Sequence, residues 1–267
     1  MIKHIRYITG ILIIVFSCKV NAMENRWELG IGTTAFNLPL YPGSADDKSF
    51  IIPFPFFRIQ TEYFEVNEGV RSFFFETPDI RLNISADLGV PVSSDDSATR
   101  EGMPDLNTVI QIGPSLEFIF SGGRRQPHEF RFELPLRSAI ATDIKSSENI
   151  GWVLEPRITY ETLRPFKIGF AYQLTAGLQY SSKEYHAYYY DVAESLSTSQ
   201  RSAYTSDKGY SGFFTDLVIN WREDDLIYFA FTRYKNLHNS SYEDSPLVED
   251  MSYFSIGFGI AWVFASN

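Results

Sequence analysis

The residues that could perform acid–base chemistry in this 267-residue chain are few and scattered. Beyond residue 22 the histidines are His128, His186 and His238. The acidic pairs Asp46-Asp47 and Asp95-Asp96 could join His238 in an acid–histidine group at one rim of a fold. Acidic pairs in loops are more often solvated surface, and no GxSxG, HExxH or glycine-rich phosphate loop is present. The sequence therefore predicts no catalytic residues, and no histidine or cysteine spacing indicates a metal or cofactor site.

Charged side chains recur at alternate positions in two stretches near the middle of the chain. Residues two apart on a β-strand share one face of the sheet, so these side chains would point the same way. One interpretation is that they line a selective pore. The other is that opposite charges pair across a narrow interior and fill it with salt bridges. The candidates for this interior set are Arg131, Glu133, Arg137, Glu155, Arg157 and Glu161.

The elements that would hold these charges are long, two-faced β-strands. In FKIGFAYQLTAGLQY, residues 166–180, one alternate set is apolar or aromatic and the other is polar or small. Alternation with period two indicates a strand whose two faces meet different surroundings. Ordinary strands have about five or six residues, so a stretch of this length is unusual. The same alternation is found in 26–37, 79–90, 127–140, 150–163 and 251–264.

Twelve strands are predicted along the chain, all within one domain that covers residues 23–267. The weakest are the short pair within 62–76, and ten strands are the alternative if this pair lies outside the sheet. Pro53 and Pro55 also fall in a predicted strand, where they remove ladder donors and suit a strand end or a bulge. The predicted strands are 26–37, 49–60, 62–67, 69–76, 79–90, 107–121, 127–140, 150–163, 166–181, 209–222, 226–236 and 251–264.

The connections between these strands sort by length into two sets. Every second connection is a short turn, such as Arg164-Pro165. The alternating set contains the tight turn 67–69 and all the long polar loops, namely 38–48, 91–106, 141–149, 182–208 and 237–250. Outer-membrane barrels have short periplasmic turns and long external loops, and an even number of strands leaves both termini in the periplasm. The sorting therefore favours such a barrel.

The first 22 residues, MIKHIRYITGILIIVFSCKVNA, have the features of a secretory signal peptide. An uncleaved anchor and a lipoprotein acceptor at Cys18 are the alternatives. If cleavage follows Ala22, the single cysteine is lost and no disulfide is expected. Removing Lys3, Arg6 and Lys19 from the 23 basic residues leaves 20 against 33 acidic ones, a net charge of −13. This charge argues against a nucleic-acid partner.

The apolar faces of the strands allow two surroundings, the core of a soluble sandwich or lipid. Strand length, loop sorting and the export signal favour lipid. In hydrocarbon every backbone donor and acceptor must be paired, so a spanning sheet has to close on itself. The sequence thus predicts an all-β fold, a closed antiparallel transmembrane β-barrel of about twelve strands, in the outer membrane of a Gram-negative cell. Outer-membrane lipid and lipopolysaccharide would surround it.

Charged residues in two predicted periplasmic turns are candidates for contact with a partner. Arg124 and Arg125 lie in the turn SGGRRQ, and Asp224 and Asp225 lie in the turn REDD. Anchoring of these side chains to lipid headgroups is the alternative to partner binding.

Three blocks of the sequence resemble the MipA/OmpV family. NLPLYPGSADDKSFIIPFPFFRIQTEYFEVNEGVRSFFF is similar to its amino-terminal block, and EYHAYYYDVAESLSTSQRSAYTSDKGYSG is similar to a central one. FTRYKNLHNSSYEDSPLVEDMSYFSIGFGIAWVF is similar to its closing block, in which residues 244–250, DSPLVED, are the most specific part. Together the blocks extend over almost the whole chain after residue 22. One departure is that Ala265-Ser266-Asn267 follow Phe264, where such barrels usually end on an aromatic residue.

The resemblance implies an outer-membrane β-barrel without enzymatic activity. Within the family, the implied role is a scaffold that joins a murein lytic transglycosylase to a penicillin-binding protein. The alternatives are a small-solute channel of porin type and a surface adhesin that binds through the loops 183–208 and 237–250. A fold alone does not establish a partner, so the scaffold role remains an expectation.

Overall fold

Alternating apolar and polar residues produce fourteen β-strands and one short α-helix. The computed structural model describes residues 25–61, 64–66, 70–72, 75–123, 126–143, 145–162 and 168–267. The predicted signal peptide, residues 1–22, lies outside this range. The strands are β1 (Arg26–Pro39), β2 (Asp47–Gln60), β3 (Phe64–Val66), β4 (Val70–Ser72), β5 (Phe75–Glu76), β6 (Ile80–Gly89), β7 (Thr108–Gly122), β8 (His128–Thr142), β9 (Ser147–Leu154), β10 (Arg157–Thr162), β11 (Gly169–Ser181), β12 (Gly209–Glu223), β13 (Leu226–Asn236) and β14 (Ser252–Ser266).

All the strands belong to one antiparallel sheet that closes into a barrel. The hydrogen-bonded order is β4-β3-β2-β1-β14-β13-β12-β11-β10-β8-β7-β6-β5, with β9 between β8 and β11. The two ends of this order, β4 and β5, are neighbours in the sequence, and β4 also lies beside β6. Counting β4 with β5 and β9 with β10 as single wall positions gives twelve. The predicted closed barrel is therefore confirmed, and the ten-strand alternative is wrong because β3, β4 and β5 pair within the sheet.

One predicted strand, 150–163, is interrupted in the middle. β9 ends at Leu154 and β10 begins at Arg157, so Glu155 and Pro156 leave the regular ladder. The backbone N–H of Glu155 donates to the carbonyl of Pro135 at 3.1 Å, and Pro156 accepts from Leu178 at 3.0 Å. Proline has no N–H to give to a ladder, which explains why the break falls here.

The outer face of the barrel is covered with exposed apolar side chains. Phe170 is 52% exposed and Phe258 is 68% exposed, while their sequence neighbours on the other face are shielded. Aromatic residues such as Trp27, Tyr180 and Trp262 are exposed toward the strand ends, where membrane interfaces favour them. A water-soluble particle does not present so continuous an apolar surface. The apolar face therefore contacts lipid, as the sequence predicts.

The two ends of the barrel differ. At the end that we call the turn end, short links join the strands, and the chain termini meet where Trp27 N–H donates to Asn267 Oδ1 at 2.8 Å. At the opposite loop end, the loops 40–46, 90–107, 182–208 and 237–251 pack together, and we call this assembly the cap. The cap contains helix α1 (Lys183–Tyr190), which begins at Ser182, whose side chain accepts from Tyr185 N–H. Among the described residues, no helix has the length and apolar character needed to cross a bilayer.

Candidate functional site: the barrel interior and the cap

The centre of the interior charge network is Arg131 on β8. Its Nε donates to Glu133 at 2.8 Å, and its Nη1 donates to Glu161 at 2.7 Å and to Glu129 at 3.1 Å. Glu129 and Glu133 are on the same strand at alternate positions, and Glu161 comes from the neighbouring β10. All four side chains are almost completely buried. One guanidinium thus neutralises part of the charge of three carboxylates that water does not reach.

Two further arginines extend this network along the wall. Arg81 on β6 donates to Glu117 at 2.9 Å and, across one intervening strand, to Glu129 at 2.9 Å. Arg137 donates to the Glu155 carboxylate and also to Gln111 Oε1 at 3.1 Å. The interruption between β9 and β10 holds Glu155 at this position, since its backbone is tied to β8.

The six residues predicted for the interior lie close together on adjoining strands. Arg131, Glu133, Arg137, Glu155 and Glu161 are buried, whereas the Arg157 side chain keeps 23% of its surface exposed and donates to Glu133 at 2.6 Å. The structure adds residues that the sequence did not single out, although the alternation already puts Arg81 and Glu129 on the polar faces of their strands. The added residues are Arg81, Glu117, Glu129, Glu28, Arg58, Arg222, Asp216, Arg233 and Lys235.

The opposite part of the wall has an aromatic inner surface. On β13, Phe229 and Phe231 lie directly over Gly259 and Gly257, and on β2 the ring of Phe54 lies over Gly32. A Cβ at any of these glycines would come within 2.6 Å of a ring atom, so glycine is required for this packing. These phenylalanines are partly exposed, unlike the charged residues across the barrel. The interior therefore has a closed charged side and a more open aromatic side.

The cap has its own apolar core, which closes the loop end. Tyr190 of α1 stacks on Tyr242 with 3.8 Å between ring centroids and 8° between ring planes. Both hydroxyls donate to backbone carbonyls, of Pro42 and Ser211 respectively, at 2.9 Å. The core joins all four cap loops through Leu40, Tyr41, Val92, Met103, Leu106, Tyr190, Val192, Leu237, Tyr242 and Leu247.

His186 connects the cap to the interior through a chain of buried hydrogen bonds. Its Nδ1 lies 2.6 Å from the carbonyl of Asp207, so Nδ1 carries the proton and Nε2 accepts from Ser211 Oγ at 2.7 Å. Ser211 also lies 3.0 Å from Ser181, which accepts from Gln179, and Gln179 accepts from Lys235. Burial lowers the pKa of His186 below that of an exposed histidine.

The Ser211–His186 pair has the composition of a nucleophile and its base but lacks the access that catalysis requires. Both residues are essentially fully buried, and Tyr242 packs edge-on against the imidazole at 4.8 Å. His238, by contrast, is exposed at the surface of the cap. The nearby acids are occupied, because Asp96 binds Lys48 at 2.5 Å and Asp46 accepts from Ala98 N–H at 3.3 Å. Within the described ranges, no three histidine, cysteine or acidic residues cluster as metal ligands would.

The candidate turn residues are placed only in part. Arg124 and Arg125 lie outside the described residues. Asp224 and Asp225 form the exposed turn between β12 and β13, where Asp224 has a positive φ of 50°. Their carbonyls accept from Arg222 Nε at 2.9 Å and from Val263 N–H at 2.8 Å, which leaves both carboxylates at the surface of the turn end.

Comparisons with known proteins address the fold and the family separately. The solved structure of the toluene transporter TodX of Pseudomonas putida is 8% identical, with a TM-score of 0.34 over 91% of this chain and 90% of that one. A FadL homologue of Pseudomonas aeruginosa is 7% identical, with a TM-score of 0.35 over 90% of each chain. No curated protein sequence matches the chain. The family model described as MltA-interacting protein MipA matches residues 31–264. Since the match covers nearly the whole chain, the chain belongs to the MipA family.

Proposed function

We propose that this outer-membrane barrel is a non-enzymatic scaffold that holds murein-remodelling enzymes at its periplasmic side. The partners would be a murein lytic transglycosylase and a penicillin-binding protein. The observation that carries the proposal is the closed state of the barrel. The cap covers the loop end with a buried core, and the charges of the interior are paired with one another.

The pairing of the interior charges argues against an ion-selective pore. Selectivity through charged side chains requires that those side chains meet the passing ion in the lumen. Arg131, Arg137 and Glu133 are each at most 3% exposed and already bind oppositely charged partners. They stabilise one another and are not available to a solute.

The cap also argues against adhesion through the tyrosines of its loops. Tyr185, Tyr190 and Tyr242 are buried in the cap, where they form its core or contact the barrel interior. Adaptable binding by loop tyrosines requires that their rings be accessible. The two long loops therefore serve to close the barrel.

The turn end is the surface that remains for partner binding. With both termini and the short turns facing the periplasm, only this end meets the murein layer. Asp224 and Asp225 project there from a rigid two-residue turn. The name of the family model, MltA-interacting protein, supports a transglycosylase as one partner. Arg124 and Arg125 are further candidates for the same contact.

The absence of a usable catalytic group supports the non-enzymatic role. The serine–histidine pair in the described part of the chain is sealed beneath the cap, as set out above. The outer face contacts lipid, and the cap would face lipopolysaccharide.

The test is a pull-down of detergent-extracted envelope proteins with the purified, tagged barrel. We expect murein enzymes to be recovered with the wild type, and less of them with the double variant Asp224→Asn and Asp225→Asn. Asparagine keeps the positive φ at 224 accessible, so the turn is preserved while the charge is removed. The matched control is Asp95→Asn with Asp244→Asn, which removes two exposed charges from the loop end and should change nothing.

Recovery of no murein enzyme by the wild-type barrel, together with unchanged murein turnover after gene deletion, would refute the scaffold. Planar-bilayer recordings give an independent comparison with the channel alternative. The closed cap predicts no conductance steps, and steady single-channel steps would favour transport instead.

A further inference from the structure

The barrel wall is low at one place. Strands β3, β4 and β5 contain only three, three and two residues, whereas their neighbour β2 contains 14. β3 pairs with β2 only at Ile59 and Gln60. On the flank away from β1, residues 47–58 of β2 have no strand partner in the part of the chain that the structure describes. Above the β3–β4 hairpin, β2 is therefore an edge strand.

The exposure pattern of β2 agrees with an opening at this place. Elsewhere in the wall, exposed and buried residues alternate, because one face meets lipid and the other the packed interior. On β2 the adjacent residues Ile51 and Ile52 point to opposite faces, yet they are 78% and 41% exposed. Both faces of this stretch are thus accessible, and we call the opening beside it the β2 notch.

Two prolines determine what can occupy the β2 notch. Pro53 and Pro55 remove two N–H donors from the edge strand, and proline is tolerated in sheets mainly at such edges. A strand of another molecule could not form a regular ladder with donors missing at alternate residues. A hydrocarbon chain needs no hydrogen-bond partner, so the same edge is suited to contact with it.

Behind the β2 notch lies the aromatic side of the interior. Phe50 stacks on Phe36 with 5.2 Å between ring centroids, and Phe54 meets Phe229 edge-on at 5.8 Å. All four rings are partly exposed inside the barrel. On the outside, the strand is continuous with the lipid-contacting face through Ile51. An apolar surface therefore runs without a charged residue from the membrane, over the edge of β2, to these rings.

We propose that the β2 notch admits the acyl chain of a membrane lipid, which lies against Ile52, Phe50 and Phe54 inside the barrel. The chain enters from the surrounding bilayer because the cap closes the loop end. It meets aromatic rings, while the charged side of the interior remains filled by its own ion pairs. This site is separate from the periplasmic turns of the proposed scaffold, so either inference can fail without the other.

The test replaces single residues with a photoreactive benzoyl-phenylalanine in the full-length barrel, reconstituted in phosphatidylcholine vesicles. After illumination, intact-mass measurement reports what has been attached. With the analogue at Phe54, we expect a mass increase of one phospholipid. Phe258→benzoyl-phenylalanine on the outer face is the positive control. The interior control is the same change at Phe214, which is 2% exposed on β12 and away from the β2 notch, and it should attach no lipid.

Each outcome at Phe54 decides the proposal. Attachment of lipid at Phe54 but not at Phe214 supports it. A covalent dimer would show a second copy at the edge of β2, and no attachment would show that lipid stays outside; both overturn it. Should the Phe54 variant fail to fold, as judged by loss of the heat-sensitive gel shift, the analogue at Ile52 tests the same surface with a side chain that is already exposed.

Discussion

Replacing Arg131 with methionine should destabilise the barrel more than any other single loss of charge in the interior. Methionine has a similar length but gives no hydrogen bond, so three contacts of 2.7–3.1 Å to Glu133, Glu161 and Glu129 are lost. Glu129 keeps Arg81 and Glu133 keeps Arg157, whereas Glu161 loses the bond to Arg131. Leaving a buried charge without its partner costs about 3–5 kcal/mol.

The assay is urea unfolding of the barrel in lipid vesicles, followed by tryptophan fluorescence. Taking an m-value of about 3 kcal/mol per molar urea, the midpoint for Arg131→Met should fall by roughly 1–2 M. The matched control is Arg157→Met, which loses contacts to Glu133 in a site that water partly reaches. Its cost should be about 1 kcal/mol, since solvent screens exposed pairs. An unchanged midpoint for Arg131→Met, or equal falls for both variants, would contradict the reasoning.

Three further predictions concern the lipid face and the cap. Phe258→Arg should lower the free energy of unfolding by about 2–4 kcal/mol, because it places a cation against acyl chains, while Phe258→Leu should have little effect in the same urea titration. Tyr190→Ala should remove about 3–5 kcal/mol from the stability of the cap, because the ring stacked on Tyr242 leaves a cavity, and limited proteolysis should then cut the cap loops. Burial lowers the pKa of His186, so the folded cap binds fewer protons than the unfolded loops. Its stability should be full above about pH 6.5 and fall as the pH drops below that value, with protease cleavage rising at pH 5.

Each of these predictions has a result that would count against it. A Phe258→Arg barrel with wild-type stability would mean that residue 258 does not contact lipid. Intact loops in Tyr190→Ala would show that the stacked rings do not hold the cap. For the pH effect, His186→Asn should abolish the difference in cleavage between pH 5 and pH 7.5, and a difference that persists would assign it to another group.

The fold was predictable because a transmembrane barrel writes its two surroundings into alternate residues. Phe170 and Phe258 had to face outward once their neighbours were small or polar. The break at Pro156 was visible as a residue type, but alternation continues on both sides of it and conceals the interruption. The strands within 62–76 were the weakest predictions, and they are the shortest strands of the wall.

The site was predictable only at the level of faces. Alternation places Arg131 and Glu133 on one side of β8, but it does not say which strand supplies their partners. Register between strands decides that Arg131 meets Glu161, and register depends on the whole sheet. The cap was not predicted, because contacts among loops follow no period. His186 therefore looked like an ordinary loop residue, although it is buried in a short helix.

The seam between the first and last strands sets how the chain must be assembled. β1 pairs with β14 along nearly its full length, so residues at opposite ends of the polypeptide, such as Ile31 and Trp262, become direct neighbours. Contacts of such large sequence separation form late, because the entropy of closing the loop between them comes first. Until the final strand arrives, the translocated chain is an open ribbon with two sticky margins. Loss of that strand would consequently abolish the whole cylinder, and periplasmic chaperones would have to shield the intermediate throughout.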